Sequence, residues 1–200
     1  RRIAMLTGHR TISTSVDRAA GHRRALAEVG IEHDDRLVLY EGFGVEAGYR
    51  MACRILDLHP RPTALFAANN FIAFGAIRAL REVGLRIPEA MSLVAFDDLP
   101  GDWLIDPFLT VVDQRAYEMG ERGAELILER VAGGRRPARQ SIILPVDFIV
   151  RRSSAPPPSD LNATPRRAVD SALTLGSRSA PDPRRDKATP ASADVSTARD

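Results

Sequence analysis

Short apolar runs and stretches of helical spacing alternate along the first three-quarters of the chain. Thr63–Ala68 is apolar and ends in Asn69 and Asn70, where helix N-capping side chains belong. Phe71–Val83 follows with Ile72, Ala76, Leu80 and Val83 on one face, and Gly84 and Pro88 stop it. Met91–Phe96 is a second apolar run, closed by Asp97 and Asp98. This reads as strand, helix, strand, and it puts Asn69 and Asp97 at one edge of a sheet. In open α/β sheets that edge binds ligands, so the pattern predicts a small-molecule site.

The same rhythm runs to either side. Ile3–Thr7 reads as a buried strand, His9–Ser15 as a polar loop, and Val16–Val29 as a helix capped by Gly30. Arg36–Tyr40 reads as a strand and Val45–Leu58 as a helix. A loop over Leu99–Phe108 leads to a strand at Thr110–Asp113 and a helix at Tyr117–Val131. Ser141–Leu144 and Val146–Val150 read as strands flanking Pro145. Strands and helices in this order predict βαβ units, a parallel sheet and right-handed crossovers.

Composition changes that picture at the carboxyl end. From Ser153 onward the chain is Ser, Pro, Ala, Arg and Asp, with only Leu161, Val169, Leu173, Leu175 and Val195 as larger apolar residues. Such a stretch buries too little apolar surface to offset its ordering entropy, so 153–200 is expected to be a disordered tail and 1–152 the folded domain. The chain opens without Met and directly on a strand, which reads as a piece cut from something longer.

Charge and reactive residues narrow the chemistry. The net charge is +2, and the signs alternate as on solvated helix faces, which argues against a nucleic-acid patch. Cys53 is the single cysteine, so disulfides and Cys-based zinc sites are excluded. His9, His22, His33 and His59 share no ligand spacing; no metal or cofactor is expected. His22 reads as a half-buried helix residue. No phosphate-loop spacing or nucleophile elbow is present, and Asp97 and Asp98 diverge as sequence neighbours, so the chain does not read as an enzyme. No apolar run is long enough for a membrane span and no signal peptide opens the chain, which predicts a cytoplasmic protein.

RRIAMLTG, RAAGHRRALAEVG, EGFGVEAGY, PTALFAANNFIAFGAIRALREVGLRIPE, SLVAFDD, FLTVVDQ and ILPVDFIVRRSS follow one another over most of residues 1–153. In this series the chain resembles the effector-binding core of the lactose/galactose-repressor (LacI/GalR-type) transcription regulators. The resemblance implies a type I periplasmic-binding-protein-like α/β fold of two lobes, of which this chain is mainly the C-terminal one. It places 117–131 in the largely absent first lobe, without its packing partners. It further implies a homodimer, a small-molecule effector, a sugar on family frequency, and operator DNA reached by a helix-turn-helix missing from this chain.

Carried over residue by residue, it names five ligand contacts. Arg18, three residues before Gly21, donates forked hydrogen bonds. Phe43, five before Gly48, stacks on a sugar or base. Asn69 both donates and accepts, Asp97 accepts from adjacent hydroxyls, and Gln114 lies at the crossing between lobes. Asn70 stands where many relatives have Asp; Asp98 is expected to fix its loop. Phe74 and Ile77, with Arg78 and Arg81, are read on the face of their helix opposite Ile72 and Leu80. With Ile105, Phe74 and Ile77 form the expected dimer contact. The rival readings are a periplasmic sugar-binding receptor of an import system and a truncated fragment that no longer binds.

Overall fold

The computed structural model describes residues 2–98, 107–132 and 141–157, all within one compact unit, Arg1–Ala163. Its elements run β1 (Ile3–Thr7), α1 (Ser13–Glu28), a 3-10 turn (Asp35–Leu37), β2 (Val38–Tyr40), α2 (Val45–Leu56) and β3 (Ala64–Ala67). There follow α3 (Asn70–Glu82), β4 (Ser92–Phe96), β5 (Thr110–Asp113), α4 (Ala116–Ala132) and β6 (Asp147–Ile149).

The strands form one sheet in the order β2-β1-β3-β4-β5-β6, parallel except for β6, which runs antiparallel to β5. That order fixes the layers. The chain steps one way from β1 to β2, then back across to β3 and on to β4. Right-handed crossovers therefore place α1 on one face and α2 and α3 together on the other. Burial follows from this. Ala4, Met5, Leu6 and Thr7 of β1 are fully buried, as a strand covered on both faces should be. In β3 and β4 only alternate residues are buried: Leu65, Ala67, Leu93 and Ala95. Their neighbours Phe66, Val94 and Phe96 are half-exposed on the α1 face.

Helix α2 lies against α3 at a crossing that has room for nothing larger than hydrogen. A Cβ on Gly48 would stand 2.3 Å from the Ile72 carbonyl oxygen, and one on Gly75 would stand 2.0 Å from that of Val45. Outside the crossing the two helices are laced by charge. Arg78 forks onto Glu46 at 2.8 and 2.9 Å and stacks over Tyr49, whose hydroxyl donates to Glu82. Gly30 and Gly84 end α1 and α3 at φ 68° and 70°, with the amides of Ile31 and Leu85 reaching back to Leu26 and Leu80.

Several elements differ from expectation. Helix α1 begins at Ser13 rather than Val16, and α2 ends at Leu56 rather than Leu58. Arg36 is not in a strand. The Asp34 carboxylate takes the Arg36 backbone amide and guanidinium, which holds Asp35–Leu37 as a 3-10 turn and delays β2 to Val38. Ser141–Leu144 is not a strand: the pairing with β5 extends only over Asp147–Ile149, and Ile143 is 91% exposed. Helix α4 is present and contains no buried residue.

The expected start of the tail at Ser153 is too early. Ser153 is fully buried: its Oγ donates to the Leu93 carbonyl and accepts from the Thr110 amide. Its backbone bonds Leu93 and Phe108, and Ser154 and Ala155 bond Thr110 and Ser92. One apolar-poor sequence, RRSS, thus supplies the clasp on β4 and β5. Residues 158–200 lie outside the described residues.

Candidate functional site

All five expected ligand residues lie at the carboxyl edge of the sheet; Asn69 bonds the Phe43 loop and Gln114 bonds Asp97, while Arg18 bonds the end of β3. Asn69 precedes α3 in extended conformation, and its Oδ1 accepts from the Ile72 amide at 2.8 Å as the helix cap. Its Nδ2 donates to the Phe43 carbonyl at 3.0 Å, fastening the loop after β2. The Phe43 ring in turn lies against Gly8, at the end of β1, so closely that a Cβ there would meet it at 2.1 Å.

Arg18 comes from the second turn of α1 and reaches across to the ends of β3 and β4. Its Nη1 donates to the Ala68 carbonyl at 2.6 Å, and its guanidinium lies 3.9 Å over the Phe96 ring. Planar, multivalent donors suit this position: one N–H is used and others remain for a ligand.

Asp97 follows β4 at φ 67°, a left-handed backbone that Asp tolerates better than most residues. Gln114, immediately after β5, donates its Nε2 to Asp97 Oδ1. Burial pushes the Asp97 pKa up from its ordinary value; Arg18 opposes that, Asp113 adds to it, and the Gln114 hydrogen bond opposes it. Burial also lowers the Arg18 pKa, with Asp97 opposing. The two charges therefore hold each other in a half-buried setting. Chemically, the edge offers a carboxylate acceptor, a fork of donors, an amide of either sense and an aromatic face.

Asp98 turns away from this group. Its carboxylate forks onto Arg151, and its carbonyl takes the Asn70 side-chain amide at 3.3 Å, so it fixes the loop as expected. Phe96 and Gly8 were missed by sequence reasoning. Phe96 is the last residue of a strand whose alternation puts it on the half-covered face, a signal that period-two spacing carries. Nothing local foretells Arg151 as the partner of Asp98, 53 residues away.

The expected dimer residues fare differently. Ile77 is buried within the single chain at 8% exposure, so it is not on a displayed face. Phe74 is half-buried and meets the exposed Phe71 edge to face at 6.5 Å. Ile105 lies outside the described residues. Arg78 is committed to Glu46 and Tyr49. Among the described residues no cluster of His, Cys, Asp or Glu could hold a metal, and no helix is long and apolar enough to cross a membrane.

A groove of about 940 Å³ opens at the opposite end of the sheet, beside Arg2, His33, Asp34 and Leu37. Its charges are already matched: Arg2 and Arg36 pair with Asp34, and His33 with Asp35. Two buried nitrogens there, Arg2 Nε and His33 Nδ1, have no partner, but the Asp34 and Asp35 carboxylates are spent on ion pairs, and the carboxyl edge is the better-equipped surface.

The periplasmic binding protein-like domain family matches residues 1–154. The chain belongs to this family. Its relatives are LacI-type regulators, and the mostly parallel α/β sheet is that of their periplasmic-binding-protein-like domain. The transcriptional regulator DegA of Bacillus subtilis is 35% identical over 158 residues, covering 77% of this chain and 45% of that protein. The regulator CelR of Thermobifida fusca is 34% identical over 154 residues, covering 76% and 45%. Among solved structures, a CelR–cellobiose complex superposes with a TM-score of 0.70 at 34% identity, over 77% of this chain and 47% of that one. The chain thus spans about half the length of the relatives it matches.

Proposed function

We propose that this chain is the effector-binding module of a LacI-type transcriptional regulator, taking a sugar or similarly hydroxylated small molecule at the carboxyl edge of its sheet. The observation that carries the reading is the linked set Arg18–Asp97–Gln114 beside Asn69–Phe43. A carboxylate and a guanidinium read hydroxyls in fixed directions, and an aromatic ring covers the apolar face of a pyranose. The cellobiose in the CelR complex supports the class of ligand. The module does no chemistry on what it binds. Its effect is a shift between arrangements of two lobes, read by a helix-turn-helix outside this sequence that contacts operator DNA. Such a regulator works in the cytoplasm.

The test is a thermal-shift series on the intact protein with cellobiose, glucose and other neutral sugars, alongside Asp97→Asn. About 100-fold excess of ligand over its dissociation constant adds roughly 2.7 kcal/mol. The expected outcome is a shift with a sugar that Asp97→Asn loses while remaining folded. A shift indifferent to Asp97 would place the site elsewhere.

The module is a homodimer in this reading, with α3 at the contact. Phe71 at 54% exposure and half-buried Phe74 form an aromatic pair on its surface. Phe74→Arg is expected to halve the mass measured by light scattering; an unchanged mass refutes this contact.

A further inference from the structure

The carboxyl edge is electrically lopsided, and the imbalance names a feature of the ligand. At the β4–β5 end stand two carboxylates, Asp97 and Asp113, close enough that Asp113 raises the Asp97 pKa. The charges around them are matched. Arg18 acts on Asp97, and Arg151 forks onto Asp98. At the other end, over β2, the Glu41 carboxylate is taken up by Arg50, and Arg10 remains. Its guanidinium lies 3.9 Å above the ring of Tyr40, the last residue of β2. No carboxylate lies within ion-pair distance of Arg10 among the described residues. The helix that follows, α1, has no acidic residue in its first turn. Among the described residues nothing pairs with the cation.

Tyr40 does something specific for Arg10. An exposed arginine ordinarily samples many rotamers, and stacking on a ring removes much of that freedom before any ligand arrives. The ring occupies one face of the plane and leaves the N–H edge free for an acceptor. The fork is thus held ready at the edge that carries Phe43 and Asp97. Neighbouring strands lie about 4.8 Å apart, and β2 and β4 are separated by β1 and β3, so the two ends of the edge are roughly 14 Å apart at the backbone. Side chains reach inward from each end. The remaining span suits a sugar ring with an appended group better than a ring alone.

We propose that Arg10, held by Tyr40, is a specificity-determining residue that reads an anionic group on the effector, a phosphate or a carboxylate, while Asp97 and Arg18 read its hydroxyls. The inference rests on the effector-site reading above and adds the ligand's charge and polarity: acidic end over β2, hydroxylated end over β4.

Titration calorimetry on the intact protein tests it with cellobiose, glucose, glucose 6-phosphate and cellobionic acid as probes. The expected result is that one acidic probe binds at least about tenfold tighter than its neutral parent, an advantage that weakens with added salt. Arg10→Ala is expected to erase that advantage and leave affinity for the neutral sugar unchanged; Arg10→Lys keeps part of it. Preference for glucose 6-phosphate identifies the anion as phosphate, and preference for cellobionic acid as carboxylate. Equal affinity for neutral and acidic probes, or an acid preference that survives Arg10→Ala, overturns the proposal and leaves the sugar site standing. Binding of no probe at all overturns both. Arg10 is exposed, so an unchanged melting temperature of the free variant separates recognition from a structural role.

Discussion

Asn69 uses one side chain twice, capping α3 with its oxygen and holding the Phe43 loop with its nitrogen. Its cap was legible because the residue type and the apolar run after it specify that position; its reach to Phe43 was not, since the two are 26 residues apart. Asp97 was legible as a carboxylate at a strand end, but its left-handed backbone was not. Ile77 shows the limit of helical spacing alone: α3 buries Ile72, Ala73, Gly75, Ala76, Ile77, Ala79 and Leu80, more of its circumference than one apolar stripe implies. His22 has both ring nitrogens buried without a partner, and burial first, then His33, lowers its pKa below 6.5. The neutral ring is the one the fold prefers. Its contribution is therefore full above pH 6.5 and is lost as pH falls from there through the folded value. Urea unfolding across that range should show stability falling with acid in the native protein and falling less in His22→Leu. Identical slopes in the two proteins would sink the assignment.

Helices were easier to read than short strands. The α3 boundaries differ from expectation by one residue at each end, because Asn69 and Gly84 punctuate it in the sequence. Ser141–Leu144 has a strand-like composition and no strand beside it, and composition does not supply a partner. The α2–α3 crossing makes a sharper statement. Gly75→Ala forces a methyl into backbone atoms that cannot move aside, at an expected cost of about 2 kcal/mol or more. Gly120→Ala on α4, where nothing lies within 4 Å, should instead be neutral or stabilising by up to about 1 kcal/mol. Denaturation midpoints of the two variants decide this, and equal effects would mean that α2 and α3 do not cross so closely.

Over the whole molecule, the alternation of strand and helix was enough to reach a parallel α/β lobe, because βαβ connection is constrained in handedness and length. The register of the edges was not reachable, since β6 and the clasp at Ser153 are long-range pairings. Helix α4 keeps Tyr117, Ile127, Leu128 and Val131 more than half exposed, an apolar surface with nothing from the described residues upon it. The clasp at Ser153 has a consequence for the gene. A stop codon directly after Arg152 deletes the hydroxyl that bridges the Leu93 carbonyl and the Thr110 amide, while a stop directly after Ala155 leaves both of its bonds in place. The line between a tolerated and a damaging truncation of this domain therefore falls within three codons.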